Sequence, residues 1–160
     1  MPLAHPSLDD AHPTPEQVAG ALRQLPSAPP VLSRLYTLLR RNDSSLQQIG
    51  TLLRFDPALT ARVLQLGNQR SAERGVHCLS VEHAINQIGL DEIAQMVAYI
   101  ADSQALVRPI SIYGLEADEF WRWSISCALA SEVLAEHTGD DTSEAYTVGL
   151  VHMVGMVGID

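Results

Sequence analysis

Apolar residues recur along this chain at helical spacing, in runs separated by capping residues, prolines and glycines. Thr14-Pro15-Glu16-Gln17 combines an N-cap threonine, proline at the first helical position and glutamine at the third, so a short helix is predicted toward Leu25, ended by Pro26 to Pro30. After the double proline, Val31, Leu32, Leu35, Leu38 and Leu39 fall on one face and Arg34, Arg40 and Arg41 on the other, which predicts a second, amphipathic helix. Ser44 and Ser45 precede Leu46, Ile49, Leu52 and Leu53, a third helix with Gln47 or Gln48 available for a capping box. Asp56-Pro57 opens a fourth, carrying Leu59, Val63, Leu64 and Leu66, and Gly67-Asn68 is predicted to stop it. The third and fourth helices then form a hairpin.

Gln69 to Leu79 is polar and aperiodic, a loop of the length that often lies across a surface or a site. Ser80 caps a fifth helix through Val81, Ala84, Ile85 and Ile88, ending at Gly89; a sixth starts with Asp91-Glu92, carries Ile93, Val97, Ile100 and Ala101, and ends by Pro109. A long seventh helix occupies Glu116 to His137 and closes at Gly139, and Thr142 or Ser143 starts an eighth that runs through Val157. No run sustains two-residue alternation, so the fold class is all-α, a compact multi-helix bundle. Residues 1–13, with three prolines and no periodicity, read as a flexible leader, and 14–160 as one helical domain.

Composition agrees with that reading. An apolar fraction of 46% and a charged fraction of 18% describe a chain that folds around a core. Cys78 and Cys127 each lie in an apolar stretch with no second cysteine at metal or redox spacing, and read as buried thiols. Met1 to Thr14 has no lysine, arginine or apolar run, so no targeting segment is read there. The longest apolar stretch, Val148 to Ile159, is broken by His152 and three glycines and is too short for a bilayer, so no membrane helix is expected and the location is read as cytoplasmic.

Charge is divided unevenly. Residues 1–80 carry eight arginines against six carboxylates, and residues 81–160 carry two against thirteen. That balance opposes a phosphate backbone, and the scattered arginines have no aromatic residues between them to stack on bases, so nucleic acid is disfavoured as a partner. Ser71, Ser80 and Ser124 lack the glycine context of a nucleophile elbow. Gly149, Gly155 and Gly158 follow no strand and read as close helix packing rather than a phosphate loop. His77 and His83, beside Cys78 and Glu82, fall short of the converging set a metal needs. No cofactor is expected.

The order Leu25-Pro26 to Pro29-Pro30-Val31, then Asp56-Pro57-Ala58-Leu59 through Gly67-Asn68, then Ser80 to Gly89-Leu90, then Phe120-Trp121-Arg122-Trp123-Ser124, then Gly149-Leu150-Val151-His152-Met153-Val154-Gly155 resembles the HDOD family over nearly all of the chain after about Pro26. These bacterial output domains are related to HD phosphohydrolases. The resemblance implies an HD-like helical fold and a regulatory role, often beside two-component or cyclic-dinucleotide signalling domains.

Catalytic HD relatives hold one or two divalent metals with histidines and aspartates, which acidify a bound water and polarise a phosphoryl oxygen. By that resemblance the His-Asp pair falls on His152-Met153, a further ligand histidine falls on Trp123, and Met156 stands where a lysine often follows. A thioether binds a hard cation poorly and tryptophan has no lone pair to give, so His152 alone survives, as a vestigial position, and neither a catalytic residue nor a metal site is assigned. Val148, Gly149, Gly155 and Met156 flank His152 at helical spacing and offer no acid partner, so it reads as a buried histidine bonded to the backbone. Asn68 and His152 are the candidates for a remnant of the old pocket.

Phe120, Trp121 and Trp123 crowd the first turns of the seventh helix, where spacing cannot hide all three on one face. Two readings stand: an exposed interaction surface, or aromatics filling the space of a vanished metal site. In the family more helices follow the His-Asp segment and cover it, whereas this sequence stops at Asp160. The expectation is a bundle lacking those C-terminal helices, with Val151, Val154, Val157 and Ile159 forming an apolar strip that pairs with a second subunit or meets the rest of a longer product. The functional expectation is a non-enzymatic signalling module that binds a protein partner through the loop Gln69 to Leu79 and the aromatic segment. Its rivals are a residual metal-dependent phosphohydrolase and a nucleotide sensor that kept the pocket without cleavage.

Overall fold

In a computed structural model, the described residues are 27–41, 44–72, 75–102 and 116–157, with Thr14 and Gly20 as isolated positions. The expected leader 1–13, the predicted first helix apart from those two positions, Pro109 and Ile159 lie outside them. The elements are α1 (Pro29–Leu39), α2 (Leu46–Leu53), α3 (Pro57–Ser71), α4 (Val81–Ile88), α5 (Leu90–Asp102), α6 (Ala117–Thr138), α7 (Thr142–Val151) and a last turn, α8 (Val154–Val157). The described residues contain no strand.

Local chemistry sets most of these boundaries. Ser45 and Gln48 form a reciprocal capping box at the start of α2, Ser80 accepts from the His83 N–H at the start of α4, and Gly89 and Gly139 take positive φ to end α4 and α6. α7 starts at Thr142, as expected, and Asp141 caps it, its carboxylate accepting from the Glu144 N–H. The predicted eighth helix is two pieces, broken at His152-Met153.

The fourth predicted helix does not stop at Gly67-Asn68. α3 continues to Ser71, and Gly67 marks contact rather than termination: a Cβ there would lie 2.8 Å from the Cβ of Ala84, so its absence lets α4 seat directly on α3. Asn68 is likewise used for tertiary fixing, its Oδ1 accepting from the Cys78 N–H at 2.8 Å and its Nδ2 donating to the Cys78 carbonyl. What remains of the expected loop is thereby tied down at Cys78, which is buried, whereas Cys127 is half-buried rather than buried.

α3 is the axis of the fold. Pro57 to Val63 are buried in succession, as a helix covered on every side requires. On one side α1, α2, α4 and α5 enclose the main core around Leu35, Ile49, Leu53, Leu59, Val63, Ile85, Ile93 and Val97. On the other, α6 and α7 pack along each other's length, and Phe120 of α6 with Met153 and Val154, which follow α7, close onto Ala58 and Ala61 of α3. Among the described residues no helix is long and apolar enough to cross a membrane.

Candidate interaction surface

The positions matched to metal ligands lie in different surroundings. Met153 is buried in the apolar cluster with Phe120 and Val154. Trp123 points away from the core, at 61% exposure. His152 is exposed, not buried as its apolar surroundings suggested, because α7 ends on it and carries the ring outward; its Nδ1 donates to the Gly149 carbonyl at 2.7 Å. Asn68 and His152, the two candidates for a pocket remnant, have separate partners: Asn68 serves the Cys78 backbone and His152 the Gly149 backbone. Among the described residues no three His, Cys, Asp or Glu side chains converge as a cation site.

The aromatic segment divides. Phe120 is 1% exposed and belongs to the core, which removes it from any surface; Trp121 is half-buried against the same cluster, and only Trp123 is offered to solvent. The expected strip on the last helix divides too. Val151, the last residue of α7, packs against two apolar clusters, and Val154 is buried after the break; the Val157 side chain lies outside the described residues.

Apolar surface is found instead on the outer side of α6. Phe120, Ser124, Ala128 and Ala135 form its buried stripe, yet Trp123, Leu129, Val133 and Leu134 on the remaining arc are each more than half exposed, as is Val148 of α7. Beside Trp123 lies an open hollow of about 410 Å³ lined by Glu119, Arg122, Ser126 and Cys127. Large apolar side chains left this exposed on one helix mark a candidate interaction face.

Besides the apolar contacts with α3, one guanidinium ties α6 and α7 to α2 and α4. Arg54, at the end of α2, bonds Glu132 of α6, lies 3.9 Å from Glu82 of α4, and sits over the Tyr146 ring of α7 at 3.9 Å, while the Tyr146 hydroxyl donates to the Arg54 carbonyl. Partial burial opposes the charge on Arg54, but the bond to Glu132 and the fields of Glu132 and Glu82 outweigh it, so its pKa is raised. Burial also pushes the Tyr146 phenol up, against the neighbouring guanidinium. No local pattern announces the group, since the partners of Arg54 stand 28, 78 and 92 residues away. With Arg54 and Glu132 each about a quarter exposed, a double-mutant cycle of Arg54→Met and Glu132→Gln, read by urea unfolding, is expected to give a coupling of about 1 kcal/mol that shrinks in high salt.

Two structures of the MmoQ response regulator from Methylococcus capsulatus str. Bath share this fold. One aligns with a TM-score of 0.72 at 24% identity over 84% of this chain and 54% of its own; the other, fragment 20–298, aligns with a TM-score of 0.68 at 24% identity over 85% and 52%. The chain therefore spans about half the length of these neighbours, and at that identity the likeness is one of fold. No curated protein matches the chain. The HDOD domain model matches residues 25–159, so the helices that surround α3 and carry this surface are those of a family unit, and the chain belongs to the HDOD family.

Proposed function

We propose that this HDOD domain is a non-enzymatic regulatory module of bacterial signal transduction, residing in the cytoplasm and acting by binding a protein partner. The observation that carries the reading is the outer face of α6, where Trp123 stands 61% exposed among other uncovered apolar side chains. Tryptophan is the side chain most enriched among residues that dominate binding energy, and leaving a row of apolar groups in water is unfavourable unless something covers them. The family and the fold neighbour named as a response regulator support the signalling context. The buried thioether of Met153 and the indole of Trp123, at the positions matched to metal ligands, support binding over hydrolysis.

The test combines elemental analysis of the purified protein with turnover of a generic phosphodiester in Mn²⁺. Metal well below one equivalent and no turnover above buffer are expected. One bound transition metal per chain with Mn²⁺-dependent cleavage would restore the hydrolase reading. Trp123→Ala is expected to leave the melting temperature within about 2 °C of the parent, since the side chain has little packing to lose, while releasing any partner held by the intact protein.

A further inference from the structure

Resting on that reading, we propose that the α6–α7 face takes an amphipathic helix of net positive charge. Trp123, Cys127, Ala130 and Leu134 follow one another at intervals of four, three and four residues, the spacing of a coiled-coil seam. They lie beside the buried stripe of α6, and Leu134 is 66% exposed. Gly149 of α7 rests on the carbonyl of Cys127 and the Cα of Ala128, which brings the exposed Val148 to the height of the middle of this seam. A seam of that period accepts a helix at a shallow crossing angle.

Charge selects the occupant. Between residues 116 and 144 the chain carries eight carboxylates and one arginine; Asp118 is paired with that Arg122 and Glu132 with Arg54 of α2, which leaves the other six to set the sign of this face. Glu119 flanks the Trp123 end of the seam, and Asp140, Asp141 and Glu144 lie at the turn into α7 beyond Leu134, with no lysine anywhere in the chain to offset them. A second copy laid face to face would set carboxylates against carboxylates, whereas a helix flanked by lysine or arginine neutralises both ends and buries the seam.

The probe is a synthetic amphipathic helix of three heptads with leucine at the seam positions and lysine beside them, compared with the same peptide carrying glutamate for lysine. Binding is read by fluorescence anisotropy against the full chain, with light scattering on the same samples. The lysine peptide is expected to bind at least about tenfold more tightly than the glutamate peptide, to weaken as salt is raised, and to lose about tenfold on Leu134→Ser, with the melting temperature of that variant unchanged. Equal binding of the two peptides, or lysine-peptide binding that Leu134→Ser leaves intact, would overturn the assignment. So would a protein dimer that Leu134→Ser converts to monomer, because a second copy would then own the face. Each of these results is distinct from metal-dependent turnover, which alone would overturn the binding-module reading beneath it.

Discussion

Asp56→Ala is expected to destabilise the protein by about 3 kcal/mol at pH 5, read by urea unfolding. The Asp56 carboxyl is fully buried and joins two chain segments, accepting from the Leu59 N–H at 3.0 Å as the N-cap of α3 and from the Ala28 N–H at 2.6 Å ahead of α1. Alanine removes a cap, typically worth about 1 kcal/mol, and leaves the buried Ala28 donor without its acceptor, worth about 1–3 kcal/mol more. Burial drives the carboxyl pKa up from 3.8 to about 6, against the lowering effect of its backbone donors and of Arg62. The folded protein therefore keeps a proton that the unfolded chain has released, so the stability tied to this proton is complete below the unfolded value of 3.8 and is lost as pH rises through about 6. Over that window the loss is about 3 kcal/mol at most. Asp56→Asn keeps an acceptor and cannot titrate, so the stability difference between wild type and Asp56→Asn is expected to shift against wild type between pH 4 and 7. A difference flat in pH would mean that the carboxyl titrates as it does in the unfolded chain.

Gly149→Ala is expected to cost about 2 kcal/mol, a fall of roughly 4–8 °C in melting temperature for a chain of this size, although alanine is the better helix former. A Cβ at this position meets the Ser131 Oγ at 2.6 Å, the Cys127 carbonyl at 2.8 Å and the Ala128 Cα at 2.9 Å. Two of the three are backbone atoms and cannot rotate aside, so α7 must lift off α6 and open the cluster of Ala128, Tyr146 and Leu150. Gly155→Ala is the control: nothing lies within 4 Å of a Cβ there, and a change within about 0.5 kcal/mol is expected. Equal losses at both positions would mean that backbone conformation, not close approach, fixes Gly149. Because Val148 precedes Gly149, a lifted α7 is also expected to weaken whatever the outer face binds.

The sequence by itself determined the all-helical class, the periodic faces of α1 to α6 and most of the caps, because these are read from neighbours three and four residues apart. It also carried the residue types that argue against metal at the matched positions, Trp123 and Met153, and it marked Gly149 as a packing glycine, whereas the same reading fails at Gly155, where a Cβ would meet nothing within 4 Å. Tertiary structure decided the rest. It extended α3 past Gly67 by placing α4 against it, and it spent Asn68 on Cys78. It sent Phe120 and Val154 inward while carrying Trp123 and His152 outward, which local patterning around an apolar helix cannot distinguish. The candidate surface was half legible, since the aromatic cluster was visible but the exposure of Leu134 and Val148 depends on where α7 lies against α6. Arg54 had no local signature at all, for its partners converge only when α2, α4, α6 and α7 pack. Periodicity specifies which residues share a face of their own helix; which faces meet, and which stay in water, is set by contacts between segments far apart in the chain.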